Sequence, residues 1–386
     1  MVVCFTLIMK FKEFLVSYSS LLASAPKEEL KDDSRYVFLS DLHMGDGGSR
    51  DDLAPNRGLV QNMLAKYYLE GGYTLVLNGD IEDLSKFRYS DIRTAWASLY
   101  AVFDAFASDG RLRKIVGNHD LGLLKMKNHP YELSHGLVLE RGRDRLFVFH
   151  GHQASKFFTK HDYLSDFIVR YLAKPLAIKN SSIDDDKRRR FKTERRIYRA
   201  SRNLGVVAVT GHTHRPLFES LSKYDSLRWA IEGLVAEYPL AEDSRKKSIA
   251  EMVALYRDEL SHLGKRELAF DLSRSLYDRG SLLVPCLFNS GCATGKHGVT
   301  AIEYRDGELL LVQWTGKRGP KPYVEFEALQ KDRMDGTSYS RYLIRRSAAA
   351  HVFARLELLG QGRVQNQHVT AAILRQFPET CDVIPK

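Results

Sequence analysis

Tyr36-Val-Phe-Leu-Ser-Asp41-Leu-His43-Met-Gly45-Asp46-Gly-Gly48 is the stretch on which the fold turns. Its apolar start, Tyr36 to Leu39, reads as a short buried strand, and glycine-rich turn chemistry follows at once. Side chains two apart point to the same side of an extended chain, so Asp41 and His43 are expected to aim at one point past the strand end. A carboxylate oxygen beside an imidazole nitrogen suits a divalent cation of the manganese, iron or zinc kind. Taken alone, Asp-x-His after an apolar run is more often a turn residue beside an incidental histidine.

Four further stretches repeat the pattern. Thr74 to Asn78 runs into Gly79-Asp80-Ile-Glu-Asp83, and Arg113 to Val116 runs into Gly117-Asn118-His119-Asp120. Leu146 to Phe149 runs into His150-Gly-His152, and Val206 to Thr210 runs into Gly211-His212-Thr-His214. Each is a buried-strand signal that ends in a metal-capable side chain next to glycine. The intervals leave room for helices between strands, as an α/β chain requires.

In that order the motifs resemble the calcineurin-like metallophosphoesterase superfamily, over about residues 36–216, with a closing hairpin out to Trp314. The resemblance implies a four-layer α/β/β/α sandwich with helical insertions. It implies two divalent cations, manganese first and iron or zinc as alternatives. Asp41, His43, Asp80 and His214 would hold one, and Asp80, Asn118, His150 and His212 the other, with Asp80 shared. It further implies hydrolysis of a phosphoester or phosphoanhydride by a metal-bridging hydroxide. His119 would donate to the leaving oxygen, and Asp83 would orient it and keep it protonated. His152 takes a supporting place behind the ligands, and Asn118 and Arg215 are candidates to meet the phosphate. Protein Ser/Thr phosphatases of the superfamily carry Arg and Glu where this chain has Leu84 and Asp120, which disfavours that branch. The Asp41-Leu-His-Met-Gly45 opening and the helical block after His152 look like UDP-2,3-diacylglucosamine hydrolases, many of which carry Arg at the position of His119.

The remaining sequence sets the surroundings. At 386 residues with 44% hydrophobic content the chain can bury a large core, and a net charge of +10 favours an anionic partner. That partner is expected to be a phosphorylated small molecule or lipid-linked substrate, with an anionic membrane face or nucleic acid as alternatives. Cys4, Cys286, Cys292 and Cys381 show no paired or metal-type spacing and read as reduced thiols of a cytoplasmic protein. The apolar run at residues 1–9 is too short to span a membrane and its charges follow it, so no secretory signal is expected.

Residues 1–34 read as an N-terminal helical extension. Its apolar face, Phe11, Phe14, Leu15, Tyr18, Leu21 and Leu22, either packs on the domain or lies on the inner membrane face. The metallophosphoesterase domain covers 35–320, with helices at 51–70 and 90–107 and helical insertions at about 155–203 and 221–281. In the first insertion, Leu164, Phe167, Ile168, Tyr171 and Leu172 form an apolar face. A basic helix follows, from Lys187 to Arg202, expected to be mostly solvated. It is either a plain charged surface or a contact for anionic lipid, substrate or nucleic acid. The insertions are either lids or structural. Residues 321–386 read as a C-terminal helical extension.

Overall fold

A computed structural model describes residues 2–154, 187–221, 223–267 and 283–360. Two sheets form its middle. The five-stranded sheet runs in the order β1 (Lys27–Glu29), β6 (Leu137–Arg141), β7 (Asp144–Val148), β8 (Val207–Thr210) and β9 (Leu287–Asn289). The eight-stranded sheet runs β12 (Gln330–Arg333), β13 (Ser340–Ala348), β11 (Glu308–Thr315), β10 (Val299–Arg305), β2 (Tyr36–Leu39), β3 (Thr74–Asn78), β4 (Leu112–Ile115) and β5 (Leu133–Ser134). Strands β2, β3 and β4 are parallel, as are β7, β8 and β9. Hence the ends of both parallel triplets carry the five motifs, which is where open α/β sheets place their sites.

Strand alternation explains the layering. Val37, Leu39, Leu75 and Leu77 share one core with Val60 and Met63, which lie on α2 (Arg57–Asn62) and the π-helical turn that continues it. Phe103 of α4 (Ala97–Ser108) and Ile92 of α3 (Tyr89–Ala95) join them. Tyr36, Phe38 and Val76 face the other way, into a core shared with Leu139, Leu146 and Val207 of the five-stranded sheet. On that sheet's outer side, Tyr18 of α1 (Val2–Ser24) packs edge-on against Phe147 and Phe149. Ile197, Tyr198 and Ala200 of α5 (Lys187–Leu204) are buried beside it. The result is the four-layer α/β/β/α sandwich.

Several expectations hold, and several need correction. Residues 57–69 are helical and bury Leu59, Val60, Met63 and Leu64. The helix expected over 90–107 is broken at Trp96, whose indole donates to Gly45 O and Asp51 Oδ2. The apolar face of α1 is used up against the domain, with Phe14, Leu15, Tyr18, Leu21 and Leu22 all buried. The polar stretch after it is not helical: Lys27–Glu29 adds to the sheet edge beside β6.

Helix α5 is not mostly solvated. Thr193, Glu194, Ile197, Tyr198, Ala200 and Ser201 are buried, because Arg196, Arg199 and Arg202 recur every third residue and the pairs between them form an inward stripe. The segment after 321 is not helical throughout. Strands β12 and β13 extend the eight-stranded sheet, and only α8 (Pro322–Glu327) and α9 (Ala349–Leu359) are helical in its described part. The apolar run Tyr342 to Ile344 is buried on both faces, Tyr342 and Ile344 in one core and Leu343 in the other, and β11 supplies its partner edge. In the second insertion, α6 (Lys223–Glu237) and α7 (Asp243–Glu267) close a small core of Leu227, Leu234, Ile249 and Tyr256. The apolar face at 164–172 lies outside the described residues. No helix among the described residues is long and apolar enough to cross a membrane.

Candidate metal centre

The five motifs meet between the sheets. Asp41, His43 and His214 bring one ligand atom each to within 4.8 Å of one another, as do His43, Asp80 and His119, and Asp80, His150 and His212. Asp80 therefore touches both expected groups. His43 Nε2 and His214 Nε2 are 3.1 Å apart, and His214 Nε2 is 3.1 Å from Asp41 Oδ1. On the other side His150 Nε2 faces Asp80 Oδ2 at 3.0 Å.

The convergence is not that of an extended strand. Asp41, His43, Asp80, His212 and His214 have φ of 53°, 50°, 54°, 67° and 55°, all left-handed. Such conformations cost about 1–3 kcal/mol each and persist only where surrounding bonds over-determine them. Those bonds are present. Asp41 N donates to Gly79 O (3.1 Å), His43 N to Asp80 O (3.0 Å), and Met44 N to Ile81 O (2.8 Å). His119 N donates to Asp80 Oδ1 (2.7 Å), and His212 N to Asp41 Oδ2 (2.9 Å). At Gly117 any Cβ would overlap the Asp80 carboxylate, so the β4 end can pass this closely only as glycine.

The donor set fits divalent cations. Asp41 and Asp80 are buried, and among the described residues no lysine or arginine pairs with either. Asn118 Oδ1 and His212 Nε2 are buried with no hydrogen-bond partner, both belonging to the group around Asp80. Buried polar atoms are almost always satisfied, so these orphans, beside two buried carboxylates with no lysine or arginine partner among the described residues, fit a missing positive centre. His150 Nδ1 lies 2.9 Å from Asn78 O and donates to it, which turns Nε2 toward Asp80. Burial, with the neighbouring His150 adding to it, pushes the His212 imidazole down to about 3, leaving the neutral form that ligates metals.

His119 stands beside the ligands without joining the expected sets. Its Nδ1 is 3.0 Å from Asp83 Oδ1, and Asp83 Oδ2 is held by Lys86 Nζ at 2.9 Å. Ser85 Oγ donates to the same Asp83 oxygen at 2.5 Å. Burial disfavours the imidazolium, but the carboxylates of Asp80 and Asp83 outweigh it and raise the His119 pKa. Buried His152 packs its ring against those of His150 and His212, and burial holds it neutral. Arg215 donates through Nε to Glu194 Oε1 (3.2 Å) and pairs through Nη2 with Oε2, so its guanidinium is engaged with α5.

Sequence reasoning passed over several supporting residues. Asp120, a departure from the phosphatase pattern, clamps two ligand loops: Oδ1 accepts from Gly117 N (2.5 Å) and Oδ2 from Ile81 N (2.8 Å). Ser40 donates to Asp41 Oδ2 and lies 2.8 Å from Ser290 Oγ, joining the ends of β2 and β9. Its place one residue before Asp41 was the available signal. Lys86 and Glu194 carried none, since nothing local marks a charge that will pair across the fold.

No family model and no curated protein matches the chain. Among solved structures, Yfce, a phosphoesterase from E. coli, is similar at 15% identity and a TM-score of 0.31, covering 72% of this chain and 91% of its own. A conserved uncharacterized protein from Streptococcus pneumoniae TIGR4, described as a predicted phosphoesterase, is similar at 12% identity and a TM-score of 0.27, covering 80% and 97%. With TM-scores and identities that low, this chain's own residues carry the functional reading.

Proposed function

We propose that the protein is a metal-dependent phosphoesterase with a dinuclear centre. The observation that carries this is Asp80, a buried carboxylate that reaches both histidine groups and has no lysine or arginine partner among the described residues. Asp41, His43, Asp80 and His214 would hold one cation, and Asp80, Asn118, His150 and His212 the other. When bound, the pair supplies an activated water at neutral pH and offsets phosphoryl charge. The chain's own groups do the rest. With Nδ1 donating to Asp83, His119 keeps its other nitrogen for the departing oxygen, and the Asp83 carboxylate beside it favours the protonated ring. Lys86 and Ser85 fix Asp83, so the imidazole is oriented before substrate arrives.

Within this class we favour a small or lipid-linked phosphoanhydride, such as a nucleotide sugar, on the strength of the Asp41-Leu-His-Met-Gly45 opening and the helical insertions. A nucleic-acid substrate bound along α5 has less support, because the inward face of that helix is buried and Glu194 within it is committed to Thr213 and Arg215. The test is a substrate panel with manganese supplied: nucleotide sugars, cyclic nucleotides, phosphoproteins and DNA. Metal-dependent release of phosphate or nucleoside monophosphate from a small substrate is expected. Failure to hydrolyse any phosphoester with metal present would overturn the proposal.

A further inference from the structure

One carboxylate outside all five motifs holds the loop that bears two of the ligands. Glu194, in the middle of α5, is 1% exposed. Its Oε1 accepts from Thr213 Oγ1 at 2.8 Å and from Arg215 Nε at 3.2 Å, while Oε2 pairs with Arg215 Nη2. Thr213 and Arg215 are the residues that alternate with the ligands His212 and His214. The two ligands belong to different metal groups, so this short loop sets the aim of one imidazole into each.

The direction of the bonds is fixed. Asn289 Nδ2 can only donate, and it does so to Thr213 Oγ1 at 3.1 Å and to Gly211 O at 2.7 Å. The Thr213 hydroxyl must then pass its own proton onward, and Glu194 is the acceptor. The chain Asn289–Thr213–Glu194 thus ties the loop to β9 on one side and to α5 on the other. His212 and His214 are left-handed, and such backbone stays in place only when its neighbours are pinned.

We propose that Glu194 is a positioning residue of the metal centre, acting through Thr213 and Arg215 to aim His212 and His214. The inference rests on the metal-centre reading above, and it goes beyond it by assigning α5 a function. The helix delivers a buried anchor to the ligand loop, and its arginines are incidental to that task.

The test is metal affinity of folded, metal-free protein by titration calorimetry, with thermal midpoints recorded alongside. Cobalt(II) spectra report ligand geometry. Glu194→Ala should weaken binding about 10–100-fold, the usual effect of losing a group that orients a ligand, and should alter the cobalt spectrum. Glu194→Gln keeps an oxygen for Thr213 and Arg215 Nε but turns an amide donor toward Arg215 Nη2, so it should recover part of the affinity. Ser201→Ala, on the same helix as Glu194, removes the 2.8 Å contact to Tyr18 of α1 and should lower the midpoint while leaving affinity unchanged. Parental affinity in Glu194→Ala would overturn the proposal. So would equal losses in all three variants, which would mean general loosening of α5. If the unaltered protein binds no metal, the metal-centre reading itself fails and the inference goes with it.

Discussion

Replacing Asp120 by alanine should loosen the centre from behind. The carboxylate is fully buried and its two oxygens accept different backbone donors, Gly117 N at 2.5 Å and Ile81 N at 2.8 Å. Gly117 precedes Asn118 and Ile81 follows Asp80, so one side chain braces the loops of two candidate ligands. Alanine leaves both N–H groups buried and unsatisfied, at about 1–3 kcal/mol each. An opposing effect reduces that sum. Burial, helped by the charges of Asp80 and Glu82, pushes the Asp120 carboxyl up to about 7, so removing it also relieves a strained charge. A net destabilisation of about 2–4 kcal/mol is therefore expected for Asp120→Ala. Asp120→Asn retains one acceptor and should cost about half as much. The assay is urea unfolding of metal-free protein, where a lowered midpoint at constant slope reports stability alone. A shift in Asp120→Ala equivalent to less than about 0.5 kcal/mol, the range of ordinary surface substitutions, would refute the bracing role.

His119→Ala should keep near-parental metal content and lose about 10²–10⁴-fold in kcat on alkyl phosphoesters, with aryl esters spared; equal losses on both would argue against proton donation. Gly117→Ala should lower metal content, because the added Cβ overlaps the Asp80 carboxylate; an unchanged metal count by elemental analysis would contradict that. Burial pushes the Cys286 thiol up to about 12. Its thiolate is therefore negligible at pH 8, and iodoacetamide should spare it in native protein and label it after denaturation, as read by peptide mass spectrometry. Native labelling would show that β9 is not buried as described.

The site was legible wherever its chemistry is local. Strand, glycine and ligand sit within a few residues at Asp41, Asp80, Asn118, His150 and His212, so the order of motifs announced both the parallel strands and the cluster. The left-handed backbone at Asp41 and His43 was not legible, because short-range alternation argues for an extended chain until Gly79 and Asp80 supply hydrogen-bond partners. Helix α5 misled for a similar reason. Its many arginines hide an inward stripe whose burial is decided by sheet β7–β9 and by Thr213, far away in sequence. Strands β12 and β13 went unread because Gln330–Arg333 is polar, and only pairing with β13 makes it a strand.

Metal stoichiometry in the unaltered protein and in Asp80→Asn tests the central claim most directly. Elemental analysis after loading with manganese and gel filtration gives the count per chain. A dinuclear centre sharing Asp80 predicts two metals in the unaltered protein. In Asp80→Asn it predicts a clear loss together with abolished phosphoesterase activity, since one carboxylate serves both ions. Two metals per chain retained in active Asp80→Asn protein would contradict the account.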